Sequence, residues 1–116
     1  MALLVQKFGG TSVGSVERIQ AVARRIANRR DEGHDLVIVV SAMGHTTDEL
    51  TAKARALCSN PPQREMDMLL ATGEQVSIAL LSMALHALGV PAMSMTGAQV
   101  GIVTESAHGR ARILDV

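Results

Sequence analysis

The hydrophobic pattern changes period twice within the first forty residues. Ala2 to Phe8 is a short apolar run closed by Gly9-Gly10, which predicts a buried strand. From Ser15 the period becomes helical: Val16, Ile19, Val22, Ala23 and Ile26 recur with Glu17, Arg18, Arg24, Arg25 and Arg29 between them. Ser15 is the expected N-cap, and the helix should stop near Gly33. Asp35 to Val40 reads DLVIVV, an apolar run of the kind found in strands covered on both faces. Strand, helix and strand form a βαβ unit, whose crossover leaves the strands parallel with their carboxyl ends on one edge. Two loops therefore share the edge where ligands of open α/β sheets bind: Lys7 to Gly14 (KFGGTSVG) and Ser41 to Thr47 (SAMGHTT).

Farther along, Asp48 to Leu57 predicts a helix capped by Thr46 or Thr47 and ended by Ser59-Asn60-Pro61-Pro62. Arg64 to Leu88 predicts a long helix, bent near Gly73 and closed by Gly89. From Val76 onward apolar side chains fall on nearly every side of it, so burial all round is expected. Ala92 to Met95 and Ile102 to Val103 are expected strands separated by a turn at Thr96-Gly97, and Ala111 to Leu114 should begin another element.

Composition narrows the function classes. With 47% apolar and 19% charged residues and eleven basic against eleven acidic side chains, the 116-residue chain reads as one packed unit rather than a disordered one. A neutral chain with Phe8 as its only aromatic residue lacks both the charge footprint and the stacking platform of a nucleic-acid binder. Cys58 is alone, and His34, His45, His86 and His108 show no zinc-like spacing, so no metal site is expected from side chains. MALLVQKF lacks the basic start of a secretory signal. The charge-free run Gln75 to Thr104 is broken by Ser77, Ser82, His86, Gly89 and Pro91, which argues against a membrane span. A cytoplasmic location is the expectation.

The glycine loop carries the candidate chemistry. Gly9, Gly10 and Gly14 lie between a strand and a helix, where backbone N–H groups and the helix dipole favour phosphate; a plain strand-to-helix turn would use the same residues. The G-x-G-x-x-G fingerprint is absent because the first two glycines are adjacent, and the Walker pattern fails because no lysine follows Gly14. The lysine stands upstream instead, at Lys7, where the strand ends and the loop begins. A cation there either snorkels past the strand end or meets a phosphoryl oxygen held by the loop.

These residues resemble the aspartokinases. Lys7-Phe8-Gly9-Gly10-Thr11-Ser12-Val13 is similar to the opening signature of that family. Ser41-Ala42-Met43-Gly44 with Thr46-Thr47-Asp48-Glu49-Leu50 is similar to the second, and Arg64-Glu65-Met66-Asp67-Met68-Leu69-Leu70 through Gly73-Glu74 to the third. Gly101-Ile102-Val103-Thr104 and Ser106-Ala107-His108-Gly109-Arg110-Ala111-Arg112-Ile113 are similar to a fourth. The resemblance implies an amino-acid kinase-like fold, a three-layer α/β/α sandwich with a mainly parallel sheet, present here in part. It also implies transfer of the γ-phosphoryl group of ATP, with Mg2+, to the side-chain carboxylate of L-aspartate, the step that leads toward lysine, threonine and methionine. A carboxylate with a pKa of about 3.9 is ionised at neutral pH, so its attack on phosphorus needs no general base, only alignment and charge neutralisation.

By resemblance, Lys7 is the catalytic cation, and Lys7, Phe8, Gly9, Gly10 and Ser41 hold the ATP phosphates. His45, Thr46, Thr47 and Asp48 hold aspartate, and Glu74 accepts its ammonium group. Plainer uses exist for the same residues: Ser41 can support a turn, Thr46 or Thr47 can cap a helix, and Glu74 can cap a helix restarting after Gly73 or lie on a solvated face. Residues 1–116 correspond to the N-terminal half of such a catalytic domain. The family's later glycine- and serine-rich loop, its adenine pocket and its ACT regulatory domains have no counterpart here. The isolated chain is accordingly expected to be inactive, and to associate with the missing half or as a homo-oligomer. The alternative is a non-catalytic interaction module, consistent with a mean hydropathy of +0.23.

Overall fold

Two strands, β1 (Leu3–Phe8) and β2 (Asp35–Val40), lie side by side and parallel, in register from Leu3 opposite Asp35 to Phe8 opposite Val40. The computed structural model describes residues 2–101, 103–104 and 112–115. Helix α1 (Val16–Asp31) links the strands as the periodicity predicts. Ser15 Oγ accepts the Arg18 N–H at 3.2 Å, satisfying one of the donors left over at a helix start. Gly33 ends the helix in the left-handed region, at a φ of 92°, and its N–H donates to the Arg30 carbonyl.

Ile19, Val22, Ala23 and Ile26 form the buried stripe of α1 and pack with Phe8, Val13 and Val40. Leu81 and Leu85 of α3 (Gln63–Ala87) and Val90 complete this core, so α1 and α3 cover the same face of the sheet. Strand alternation then decides what is left over. Leu3 and Val5, each 68% exposed, turn away with Lys7, Val37 and Val39 to an open face. Coverage on both faces, expected from DLVIVV, is therefore corrected: the described residues supply a helical layer on one side only. The architecture is α/β with a parallel sheet, an incomplete form of the expected sandwich.

Helix α2 (Thr46–Leu57) begins earlier than expected. His45 occupies the N-cap position without a side-chain cap, and Thr46 and Thr47 lie inside the first turn, so neither caps it. Helix α3 runs unbroken through Gly73, and Glu74 caps no restarting helix. Its buried residues Gly73, Ser77, Leu81 and Leu85 repeat every four positions, a single stripe, whereas Val76 and Met83 are exposed. Burial all round is thus corrected as well. By length and composition alone α3 could cross a membrane, but its buried stripe packs against α1 and the sheet as a core helix does.

Ala92 to Met95 form no strand. A cavity of about 490 Å³ lies between β2 and this segment, lined by Leu36, Ile38, Ile78 and Met93 among others. His86 Nε2 lies 2.8 Å from the Ala92 carbonyl oxygen. The turn follows at residues 97–101, with the Val100 N–H donating to the Thr96 carbonyl. β3 (Val103–Thr104) and β4 (Ile113–Asp115) pair antiparallel, each shifted by one or two residues from expectation. Ile102 and the stretch from Ser106 to Ala111, with His108, lie outside the described residues.

Candidate functional site

The site starts where β1 ends. After Phe8 the chain turns through the Ser12 N–H to Gly9 carbonyl bond, 3.1 Å, and the Gly14 N–H to Thr11 carbonyl bond, 3.3 Å. The Thr11 carbonyl also accepts from Arg18 Nη1 at 2.7 Å, so the first turn of α1 reaches back to brace the loop. The N–H groups of Gly9, Gly10 and Thr11 meet no backbone acceptor among the described residues. They stand beside the positive end of α1, an arrangement that suits an anion.

Gly9 and Gly10 serve different purposes. A Cβ on Gly9 would meet nothing within 4 Å, which leaves that peptide open to an approaching group. A Cβ on Gly10 would stand 2.8 Å from the Ala42 carbonyl oxygen and 3.3 Å from that of Gly44. Gly10 is therefore required by its contact with the second loop, which follows β2. There the Gly44 N–H donates to the Gly10 carbonyl at 2.9 Å and the Ser41 N–H to the Phe8 carbonyl at 3.2 Å. Gly44 adopts a φ of 48°, which permits this tight turn. The two carboxyl-edge loops are thus clipped into one unit.

Helix α3 joins them through Gly73. A Cβ there would lie 3.1 Å from Ala42 Cβ and from Thr46 Cγ2, and 3.7 Å from Leu50 Cδ1. A glycine inside a helix costs about 0.5–1 kcal/mol relative to alanine, so this close approach to the second loop accounts for its presence. Ser77, buried, donates its hydroxyl to the Gly73 carbonyl at 3.4 Å. Glu74, the next residue, is exposed beside this junction.

The sequence-predicted site residues fall on these three elements. Lys7 is exposed on the open face at the end of β1, with no carboxylate partner among the described residues. Phe8 contributes no side chain to a ligand: its ring is buried in the core, with the Arg25 guanidinium 5.5 Å from its centroid, which leaves only its main chain for a binding role. Ser41 is half-buried at the start of the second loop. The exposed His45 Nδ1 lies 3.7 Å from Asp48 Oδ2. Thr46 turns its methyl group toward Gly73, and the Thr47 carbonyl accepts the Thr51 hydroxyl at 2.8 Å. Sequence reasoning did not foresee the roles of Arg18, Ala42, Gly44 and Gly73. A glycine inside a long helical pattern was the one visible signal; nothing in the periodicity marks Arg18 as turning back to the loop.

This geometry has known counterparts. Residues 2–115 match the amino acid kinase family. Over all 116 residues the chain is 61% identical to Aspartokinase 2 of Bacillus subtilis and 60% identical to the aspartokinase of Geobacillus stearothermophilus. It spans 28% of the length of each. The crystal structure of aspartate kinase from Synechocystis superposes on 85% of this chain, and 17% of its own, with a TM-score of 0.82 and 63% identity. A glycine loop clipped to a second loop at the carboxyl edge of a parallel sheet, matched in sequence from end to end, places the chain in the amino acid kinase family.

Proposed function

We propose that this chain is the N-terminal segment of an aspartate kinase catalytic domain, carrying its phosphate loop and much of its aspartate site. The observation that carries this reading is the three-way junction of the glycine loop, the Ser41 to Thr47 loop and the middle of α3. Such a junction sets an anion cradle beside a helix start and a carboxylate, Glu74, suited to an ammonium group. The two substrates of the reaction are thereby held on adjoining walls.

In that reaction a side-chain carboxylate oxygen of L-aspartate attacks the γ-phosphorus of ATP, the bond to the β-phosphate oxygen breaks, and ADP leaves with its electron pair. Lys7 and the amides of Gly9 and Gly10 neutralise charge on the transferring group. Ser41 lies between nucleotide and acceptor, the first turn of α2 at His45, Thr46, Thr47 and Asp48 orients aspartate, and Glu74 takes its ammonium. The described residues include no group of three or more His, Cys, Asp or Glu fit to hold a metal ion, so Mg2+ would be carried on the ATP phosphates. The open apolar face of Leu3, Val5, Val37 and Val39 is where the remainder of the enzyme packs, and the 116-residue chain alone gives no turnover. The exposed free thiol of Cys58 fits the reducing cytoplasm in which we place the enzyme.

The test is trapping of aspartyl phosphate as its hydroxamate in a full-length aspartokinase that carries this segment. Glu74→Gln should raise the KM for aspartate at least about tenfold while the KM for ATP changes little. Equal losses for both substrates would remove Glu74 from the aspartate site.

A further inference from the structure

Helix α3 meets the second loop at Gly73, where its backbone, rather than a side chain, forms the contact surface. Ala42 Cβ and Thr46 Cγ2 would both stand 3.1 Å from a methyl group placed there, closer than the ordinary carbon separation of about 3.5–4.0 Å. Thr46 belongs to the first turn of α2 with Thr47 and Asp48, while Glu74 directly follows Gly73. We infer that Gly73 is a positioning residue that sets the span between the ammonium acceptor Glu74 and the α2 start, and so fits the site to a short acidic amino acid. The inference rests on the aspartate-binding reading of those residues given above.

Which side yields when a side chain is inserted follows from the surroundings. The second loop is held by the Gly44 N–H to Gly10 carbonyl bond, and behind it Gly10 already leaves no room, with a would-be Cβ 2.8 Å from the Ala42 carbonyl oxygen. Glu74, Gln75 and Val76 on α3 are exposed, so α3 has space to move outward. A methyl at position 73 therefore displaces Glu74 from the α2 start by a few tenths of an ångström and leaves the phosphate loop in place. A hydrogen bond between charged groups is worth about tenfold or more in affinity, so moving its acceptor away should weaken aspartate binding by up to about tenfold.

The experiment uses a full-length aspartokinase carrying this segment, with Gly73→Ala, Ala42→Gly/Gly73→Ala and Glu74→Gln compared with the parent. Gly73→Ala should raise the KM for aspartate about tenfold with the KM for ATP within about twofold, and Ala42→Gly in the same chain should recover part of that loss. Both KM values rising together, or neither moving while Glu74→Gln still weakens aspartate, overturns the inference and leaves the site assignment standing. An aspartate KM indifferent to Glu74→Gln overturns the site assignment itself, and with it the inference. Circular dichroism establishes folding. Where Gly73→Ala does not fold, the double variant, which keeps the Thr46 contact, is read instead: an aspartate KM raised about threefold supports the spacer role and an unchanged one refutes it.

Discussion

Adding one methyl group at either of two adjacent glycines should have opposite consequences. Neither Gly9 nor Gly10 has a positive φ among the described glycines, so an alanine strains the backbone conformation at neither. At Gly10 the methyl meets the Ala42 carbonyl at 2.8 Å and the Gly44 carbonyl at 3.3 Å, both main-chain atoms that cannot rotate away. Overpacking of this kind costs about 1–3 kcal/mol. Parting the loops also weakens the Gly44 to Gly10 hydrogen bond, worth about 0.5–1.5 kcal/mol. Against these stands about 0.4–1 kcal/mol from the restricted unfolded chain. The net loss for Gly10→Ala is about 0.5–4 kcal/mol, with a midpoint of about 2 kcal/mol that corresponds to roughly 8 °C in Tm for a chain of this size. Gly9→Ala meets nothing and should be as stable as the parent or slightly more so, while its methyl obstructs the open side of the loop. With neither Trp nor Tyr in the chain, thermal unfolding followed by far-UV circular dichroism is the suitable assay. Equal stability of the two variants would refute the assignment of Gly10 to the clip and Gly9 to the ligand side.

Three further outcomes are expected. Lys7→Ala in the full-length enzyme should reduce hydroxamate formation by at least about a hundredfold, since its ammonium has no ion-pair partner among the described residues and is left to the transferring phosphoryl group; retained turnover would take Lys7 out of the chemistry. Arg18→Met removes the 2.7 Å brace on the Thr11 carbonyl and should raise the KM for ATP several-fold, about threefold or more, with little effect on aspartate, as initial-rate kinetics would show. Ser15→Ala deletes the N-cap hydrogen bond of α1 and should cost about 1 kcal/mol in denaturant unfolding; Ser15→Asp should restore most of it.

Local signals set the order and bounds of the elements in the first forty residues and failed on burial, where tertiary packing decides: β1, expected buried, and β2, expected covered on both faces, each expose alternate residues. The cap at Ser15, the stop at Gly33 and the bounds of β2 were legible because each depends on chemistry within a few residues. The same locality placed the glycine loop and the Ser41 to Thr47 loop on one edge. Apolar composition misled on α3: Val76, Leu80 and Met83 indicate hydrophobic surroundings without indicating whether the described residues provide them. Gly73 misled differently. A helical glycine suggests a bend or a break, whereas its use here is to admit Ala42 and Thr46, residues about thirty positions away that no local window links to it. Ala92 to Met95 show the converse failure, a strand-like sequence that a cavity separates from β2.

The placement of small residues also bears on the chemistry. Of the cations Lys7 and Arg18, Arg18 is held at the Thr11 carbonyl, while Lys7 stands exposed where β1 ends. On the proposed reading, Lys7 and the Mg2+ carried by ATP share the neutralisation with backbone amides, whose dipoles act only at close range. Close range is what the junction provides: Gly9 leaves the loop amides uncovered, Gly10 lets the second loop press against the first, and Gly73 brings α3 against the second. A nucleophile already ionised at neutral pH asks for alignment rather than proton transfer, and alignment is what a site built on main-chain contacts can hold to within a few tenths of an ångström.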